Sequence, residues 1–361
     1  MNLDLILKYS IDIFLWLLLV LLNYSSIHSS FPRFKDTYWF SVILIIMFAV
    51  FGYITGDYDN YIYIYDASEY YNETVHVESL YAALMNWSHG NYALWRFFIW
   101  GPAVLIYGII LKKLNVNLNV AFMFFAILPM FYFCSHRQYL GLAIMYLGLV
   151  FFTTPSKNLI MSRLFAVMLM ISSIYFHRSM PLYILLALVA MLPFKKSTYI
   201  IMALLFPVIY INFEWILNFV TVTVNTSAME LYSRNYIDSE FRVDITMWGI
   251  IGNIVNQLPV YLLLVYALYK SAFSSDAFAV PLMAKIFLNL AVLEIYLSLL
   301  FTGQEVSAFL APRFREYSLM PLSMFYTIYL TRCRMNRVIR TFVYMVLFAD
   351  LYMLAYSIYK L

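Results

Sequence analysis

The chain has 361 residues, of which 64% are hydrophobic and 12% are charged, with a formal net charge of +4. A soluble domain carries roughly 25% charged residues, so this composition excludes an ordinary soluble enzyme or binding module. Long apolar runs without strand-like alternation predict an all-α, polytopic integral membrane protein, because lipid accepts only helices or closed barrels.

Twelve apolar segments approach the length of a membrane-spanning helix, which is about 20 residues. The first is too long for a signal peptide and lacks its small-residue cleavage site. The stretch 214–230 is rich in Asn and Thr, and we interpret it as an interfacial or re-entrant helix. In chain order the predicted spans are 5–27, 37–55, 94–111, 114–135, 138–155, 160–176, 179–194, 197–213, 246–269, 283–303, 318–331 and 341–359.

Positive charge alternates between the two sets of connecting loops. Loops after odd-numbered spans hold 14 basic residues and two acids, whereas the other side holds nine basic residues and fifteen acids. Because basic loops stay in the cytoplasm, we expect the second side to be outer and both termini to lie there. Residues 1–361 should form one transmembrane domain with outer segments 56–93 and 214–245. Cys134 and Cys333 fall on opposite predicted sides, which excludes a disulfide.

Arginine, without any internal lysine, marks the predicted outer side. A planar guanidinium pairs with phosphate through two parallel hydrogen bonds and keeps its charge at any physiological pH. This pattern favours a site that binds an anionic, lipid-linked substrate at the membrane surface. The seven residues are Arg96, Arg137, Arg178, Arg234, Arg242, Arg313 and Arg315.

An acidic, tyrosine-rich stretch follows the second span. Asp57 and Asp59 flank Tyr58, and Tyr61 follows. Acids at this spacing could hold a divalent cation, or one could accept a proton from a sugar hydroxyl. The tyrosines offer flat faces and hydroxyls to carbohydrate. The alternative is a solvated loop with aromatic residues at headgroup level, where Tyr is enriched.

Two further polar corners lie between apolar runs on the predicted outer side. Arg137 and Gln138 open the fifth span, and His177, Arg178 and Ser179 separate the sixth from the seventh. Histidine exchanges a proton readily near neutral pH. The alternatives are an arginine that extends to the headgroups and a histidine that merely sits in a turn. Gly141 and Gly148, seven residues apart on one face, predict close helix packing.

Arg313 and Arg315 precede the eleventh span, and both could clamp a diphosphate or neutralise outer acids. Glu294 and Asp350 lie within spans, where an acid needs a partner or a proton. They could relay protons in a transporter, but we favour neutral acids bonded to tyrosines or to Asn289.

No nucleotide-binding loop, dinucleotide fingerprint or zinc-ligand spacing is present in the sequence. We therefore expect no nucleic-acid partner, no resident cofactor and no zinc site. A transferase at this face would need an energy-rich donor that is already outside the cytoplasm. A lipid-linked diphospho-sugar meets that requirement.

These residues resemble the EpsG-like family of bacterial polysaccharide polymerases, which is related in role to the Wzy O-antigen polymerases. The resemblance spans about residues 38–330, and the Arg-Gln pair carries it most specifically. The matching places are Gly56 through Tyr65, Glu78 through Tyr81, Arg137-Gln138 with Gly141 and Ala143, His177 with Ser179, and Arg313 or Arg315 with Tyr317.

The resemblance implies a reaction in the bacterial cytoplasmic (inner) membrane, with both termini periplasmic. A growing glycan moves from undecaprenyl diphosphate to a sugar hydroxyl of a lipid-linked repeat unit. A flippase and a chain-length regulator are the implied protein partners. The expected diphosphate-binding residues are Arg137, Gln138, Arg178, Arg313 and Arg315; the candidate proton acceptors are Asp57, Asp59, Glu78 and His177; and the candidate sugar contacts are Tyr58, Tyr61 and Tyr317.

Metal dependence stays open, since a divalent cation at Asp57 and Asp59 is possible while the arginines could replace it. The charge pattern can be compared with what other functions would require. A flippase would carry charge along a central path and at both gates, whereas a ligase acting on the same lipid-linked glycan would look alike in sequence. A structural scaffold would not explain an outer face that has arginine but no internal lysine.

Overall fold

The computed structural model describes residues 3–28, 37–53, 62, 79–134, 138–177, 179–213, 215–216, 257–274, 280–302 and 310–359. Within these ranges the protein consists of α-helices, with one π-helical turn and no strand. The helices are α1 Leu3–His28, α2 Thr37–Phe51, α3 Ser79–Trp87, α4 Tyr92–Leu114, α5 Leu118–Ile127, α6 Met130–Phe133, α7 Gln138–Thr153, α8 Leu159–Ser173, α9 Met180–Ala190, α10 Lys196–Ile211, α11 Leu258–Leu268, continued by the π-turn Tyr269–Phe273, α12 Leu282–Phe301, α13 Leu310–Arg332 and α14 Arg337–Tyr359.

Local chemistry explains several helix starts. Asn91, Asn117 and Asn158 each precede a helix, and each side-chain oxygen accepts a hydrogen bond from a backbone N–H of the first turn. Such caps satisfy amide groups that have no partner within the helix. Helix α9 begins differently, with Pro181 in its first turn, where a missing N–H costs nothing.

Within the described residues, the predicted spans agree with the observed helices except at three places; the stretch 214–230, apart from residues 215–216, and residues 246–256 of the ninth span lie outside the described part of the chain. The fourth span is divided into α5 and α6 at Leu128–Pro129, because proline removes a helical hydrogen bond and clashes with the preceding turn. The eleventh begins at Leu310 rather than 318, so Arg313 and Arg315 belong to helix α13. Helix α3 lies inside the predicted outer segment 56–93, where no helix was expected.

The protein is a polytopic helical membrane protein. Three described helical segments, Ile6–Ile27, Tyr92–Leu114 and Leu282–Phe301, are long and apolar enough to cross a membrane by length and composition. Seven shorter apolar helices accompany them, namely Thr37–Phe51, Leu118–Ile127, Gln138–Thr153, Leu159–Ser173, Met180–Ala190, Lys196–Ile211 and Leu258–Phe273.

Contacts group the helix ends into two sets that match the predicted sidedness. On the predicted outer side, Tyr210 near the end of α10 donates a hydrogen bond to the Thr302 carbonyl after α12. Phe301 at the end of α12 stacks on Phe314 near the start of α13, with ring centroids 5.5 Å apart. The arrangement fixes which ends share a side, while the assignment of that side to the periplasm remains a prediction.

The opposite ends meet in the same way. The Asn117 backbone N–H donates to the Thr331 hydroxyl at 2.9 Å, which joins the start of α5 to the end of α13. Thr37 at the start of α2 donates to the Asn119 side chain at 3.0 Å. Alternation of helix direction therefore holds for these elements as the charge pattern predicts.

Helix α7 is the centre of the bundle, since every residue from Gln138 to Val150 is buried. Close packing on α8 depends on Gly148, where an added Cβ would lie 2.8 Å from the Ala166 carbonyl oxygen. The predicted role of this glycine in helix packing is confirmed. By contrast, Tyr199 is the one buried residue of α10, so that helix lies at the periphery.

Candidate functional site

Three of the sequence motifs converge at one end of the bundle. Helix α7 begins at Gln138, directly after Arg137. Helix α9 begins just after the His177–Ser179 corner, and α13 carries Arg313 and Arg315 in its first two turns. The starts of these three helices contact one another on the predicted outer side.

Glycine brings the first two motifs together. An added Cβ at Gly141 would lie 3.0 Å from the Met180 sulfur and 3.3 Å from the Phe176 Cβ. These two residues flank the His177–Ser179 corner, so the start of α7 packs directly against it. The second predicted role of a glycine in α7, at Gly141, is thereby confirmed.

Three tyrosines, Tyr139, Tyr183 and Tyr317, join α7, α9 and α13, and we call them the tyrosine cluster. The Tyr139 hydroxyl donates a hydrogen bond to the Glu316 carbonyl oxygen at 3.0 Å. Tyr317 packs edge-on against Tyr139 at 5.5 Å and against Tyr183 at 5.1 Å between ring centroids. This cluster holds the three helix starts in a fixed relation.

Tyr317 is only 2% exposed. Its two ring neighbours cover it, so a sugar would not reach its face in this arrangement. The predicted sugar contact at Tyr317 therefore has no exposed ring surface here, and the residue serves to pack the helices.

His177 forms a compact corner with Ser179. The Nδ1 atom lies 2.7 Å from the Ser179 hydroxyl oxygen, and the Ser179 backbone N–H donates to the same nitrogen at 3.2 Å. Because Nδ1 accepts this backbone hydrogen bond, the neutral ring carries its proton on Nε2. A ring in that tautomer presents a hydrogen-bond donor at Nε2 rather than a proton acceptor.

Arg313 and Arg315 leave α13 on opposite sides, because residues two apart on a helix do not face each other. Arg313 shares a side with Tyr317, four residues later, which faces α7 and α9. Arg315 lies beside the Tyr261 hydroxyl of α11 and is half-buried. The two guanidinium groups therefore approach the site from different directions instead of forming one fork.

Arg96 differs from the other predicted outer arginines. It is 3% exposed, and its Nη1 donates a hydrogen bond to the Gly52 carbonyl oxygen at 2.8 Å. The side chain thus binds the protein backbone at the end of α2.

Several predicted site residues lie outside the described part of the chain. They are Asp57, Tyr58, Asp59, Tyr61, Glu78, Arg137 and Arg178. Two of them adjoin described helices, since Arg137 directly precedes α7 and Glu78 directly precedes α3.

Glu294 of α12 is fully buried, and neither of its carboxylate oxygens has a hydrogen-bond partner among the described residues. The Tyr146 hydroxyl also has no hydrogen-bond partner among the described residues. The expected pairing with Asn289 is not seen: Asn289 accepts a hydrogen bond from Tyr199 at 2.6 Å and donates to the Ala190 carbonyl. In Asp350 the Oδ2 atom likewise has no partner within the described ranges.

The described residues contain no group of three or more His, Cys, Asp or Glu side chains that could hold a metal ion. Asp57 and Asp59 are not among those residues, so a cation at that pair remains an open prediction.

Sequence reasoning missed Tyr139 and Tyr183. Both lie in apolar runs rich in tyrosine, where the residue is expected at headgroup level or against lipid. Their positions next to the polar corners could have identified them. Tyr139 follows the Arg-Gln pair, and Tyr183 lies four residues after Ser179, on the same helical face.

Neither the curated proteins nor the solved structures contain a match to this chain. A sequence profile of the EpsG family matches residues 36–360, almost the whole length. The order of the converging motifs along α7, α9 and α13 falls within that match, and the chain belongs to the EpsG family.

Proposed function

We propose that the protein is a polysaccharide polymerase that transfers a growing glycan from undecaprenyl diphosphate to a lipid-linked repeat unit on the outer face of the cytoplasmic membrane. Family membership supports the polymerase-type role. The observation that supports the finer proposal is the convergence of the α7, α9 and α13 starts, since the predicted phosphate-binding residues are next to or within these helix starts in the sequence.

The convergence suits a diphosphate for a second reason. The N-terminus of a helix carries partial positive charge and unpaired N–H groups, and anions bind there. Three such termini meet at this site, each next to at least one arginine: Arg137 before α7, Arg178 before α9, and Arg313 and Arg315 within α13. We assign these arginines and Gln138 to the two phosphates of the donor.

The transfer needs a proton acceptor and a stabilised leaving group. The acceptor hydroxyl oxygen bonds to the anomeric carbon, its proton goes to a carboxylate, and the bond from that carbon to the phosphate oxygen breaks. Undecaprenyl diphosphate leaves with the electron pair, and the arginines stabilise the charge that develops on it. We assign the proton acceptor to Asp57 or Asp59, with Glu78 as the next candidate.

His177 receives a different role from the one expected from sequence alone. Its Nδ1 accepts the Ser179 N–H, so the neutral ring can donate from Nε2 to a phosphate oxygen. We therefore propose His177 as a hydrogen-bond donor to the diphosphate. Tyr58 and Tyr61 remain the proposed sugar contacts, and Tyr317 is assigned to packing because it is buried.

The proposal places the lipid tails in the bilayer between helices and the sugars in periplasmic water. The arginines supply the positive charge that a metal would otherwise provide, with a cation at Asp57 and Asp59 as the alternative. A flippase would deliver the repeat unit and a chain-length regulator would limit the product. A transporter function is the second candidate, because the fully buried Glu294 is the kind of acid that proton-coupled carriers use.

Deletion of the gene, followed by analysis of lipid-linked glycans, tests the proposal. A polymerase predicts accumulation of single repeat units on lipid at the outer face. Full-length polymer on lipid would instead identify a ligase, and repeat units confined to the cytoplasmic face would identify a flippase. The orientation has its own test: cysteine labelling at positions 59 and 334 should occur from opposite sides, and labelling from one side would overturn it.

A further inference from the structure

Two buried charges of opposite sign meet at the end of α2. Asp12 of α1 is 2% exposed, and Arg96 of α4 is 3% exposed. Burial of an ionised side chain costs free energy unless hydrogen bonds compensate it. Water could satisfy the backbone groups at the end of a helix without that cost. Their placement here therefore calls for a specific role.

The two side chains hold a single peptide group from its two ends. Arg96 Nη1 donates to the Gly52 carbonyl oxygen at 2.8 Å, and the Tyr53 N–H donates to Asp12 Oδ2 at 2.5 Å. That carbonyl and that N–H belong to the same peptide bond, in which they point in opposite directions. Fixing both ends fixes the plane of the peptide and hence the direction in which the chain leaves α2.

Two further features surround the clamped peptide without binding its N–H or carbonyl group. Lys8, one helical turn before Asp12 in α1, donates to the Tyr53 hydroxyl at 2.8 Å and lies 4.2 Å from the centroid of its ring. Position 52 has no room for a side chain, since an added Cβ would overlap the Phe48 carbonyl oxygen and approach Asp12 Oδ1 at 3.3 Å.

The clamped peptide is close in sequence to the candidate base, and it lies near the residues that precede the candidate phosphate ligand. Asp57 follows Tyr53 by four residues, so it lies within about 14 Å of Tyr53 at full extension of the chain. Cys134 at the end of α6 is within electrostatic range of both Arg96 and Asp12, and Arg137 follows it by three residues. One rigid point thus precedes the candidate base and adjoins the segment that leads to the candidate phosphate ligand.

We propose that Asp12 and Arg96 are positioning residues that clamp the Gly52–Tyr53 peptide and thereby set the distance between the acidic segment and the diphosphate site. The inference rests on the proposed polymerase function. A role confined to neutralising charge would not require both side chains to bind the same peptide group.

Kinetics of the purified full-length protein in nanodiscs, with lipid-linked repeat units as substrate, test the clamp. Arg96→Met and Asp12→Leu should each lower kcat by about 10- to 100-fold, because a displacement of about 1 Å in a catalytic group has this scale of effect. KM for the lipid-linked donor should change by less than about 3-fold, since the phosphate ligands are untouched. Arg96→Lys and Asp12→Asn, which keep one donor and one acceptor, should recover most of the rate.

Tyr53→Phe is the matched control. It removes the Lys8 hydrogen bond while leaving the clamped peptide intact, so kcat should stay within about 2-fold of the parent. An unchanged kcat in both Arg96→Met and Asp12→Leu would overturn the clamp, as would a rise in KM for the donor well beyond about 3-fold.

A second measurement needs no substrate and separates this inference from the proposed function. A spin label attached to the Thr55→Cys variant should become more mobile when Arg96→Met is added, and less so when the milder Arg96→Lys is added. Its mobility should not change with Tyr53→Phe. Equal mobility in all variants would overturn the clamp even if polymerisation is confirmed. Increased mobility in a protein without polymerase activity would support the clamp and reject the proposed function.

Discussion

The end of α2 and the start of α13 are held in place by different kinds of side chain. At the end of α2, Arg96 points inward and donates to the Gly52 carbonyl, with Asp12 bound to the other end of the same peptide. At the start of α13, neutral groups hold the backbone instead: Tyr139 donates to the Glu316 carbonyl, and Tyr317 packs against Tyr183. The backbone at the start of α13 is thus held by tyrosine side chains, whereas the end of α2 is held by two charged side chains.

This contrast divides the proposed site into two parts. The clamp anchors the segment that carries the candidate base, and the tyrosine cluster anchors the helix starts that carry the candidate phosphate ligands. Loss of a group that reacts or binds should therefore affect one kinetic constant strongly. Loss of an anchoring group should have smaller effects, which depend on how far the reacting and binding groups keep their positions.

The largest effect should come from the candidate base. Either Asp57→Asn or Asp59→Asn should reduce kcat by about 10²- to 10⁴-fold, because the amide keeps the shape but cannot accept the proton. Binding of the lipid-linked donor, measured by co-purification, should persist. If both changes reduce the rate and a chelator inhibits the parent protein, the pair holds a cation. Normal polymer from the double variant with chelator present would contradict both roles.

Arg137→Lys should produce the next largest effect. Loss of a two-point contact with phosphate costs on the order of 2–4 kcal/mol, or a fall in kcat/KM of roughly 30- to 1000-fold. Polymer length and rate in membranes with matched protein levels provide the measurement. Arg234→Lys, in the predicted outer segment 214–245, is the control and should be nearly silent. Polymer of parental length from Arg137→Lys would show that this arginine only reaches the headgroups.

The two arginines of α13 should differ from each other. Arg313 shares the Tyr317 side, which faces α7 and α9, so Arg313→Lys should reduce kcat/KM by about 10- to 100-fold. Arg315 lies beside Tyr261 on the other side, and Arg315→Lys should have an effect of about 3-fold or less. Steady-state kinetics on both variants make the comparison. Equal losses would mean that both side chains reach the diphosphate despite leaving the helix on opposite sides.

The smallest effect should distinguish the two possible roles of His177. His177→Gln retains an N–H donor near the position of Nε2, so a donor role predicts a rate within about 3-fold of the parent. His177→Ala removes the donor and should lower the rate by about 10-fold. If the Gln variant is as impaired as the Ala variant, and both lose the acidic limb of the pH dependence of kcat, His177 acts as the base.

Much of the helical layout could be predicted from sequence, because lipid forces long apolar runs into helices of similar length. The break at Leu128–Pro129 was missed because a proline inside a membrane span is often tolerated. The start of α13 was placed eight residues late, since Arg313, Arg315 and Glu316 lower the hydropathy of a segment that is nonetheless helical.

The site was less predictable, and Arg96 shows why. Its sequence context, in the first turns of an apolar helix, resembles that of Arg313. Arg96 and Arg313 differ in the helices that pack against them. That packing joins segments far apart in the chain. The tyrosine cluster could not be predicted for the same reason, because the sequence does not distinguish a tyrosine at the lipid surface from a tyrosine in the core.

Gly141 has a consequence for substrate width. Its hydrogen atom, in place of a methyl group, lets the first turn of α7 approach Met180 and Phe176, and so sets the distance between the start of α7 and the His177–Ser179 corner. Alanine there would act as a spacer of a few tenths of an ångström, with Met180 as the only flexible neighbour that could yield. Substitution at position 141 is thus a direct way to widen the site so that it accepts a bulkier headgroup.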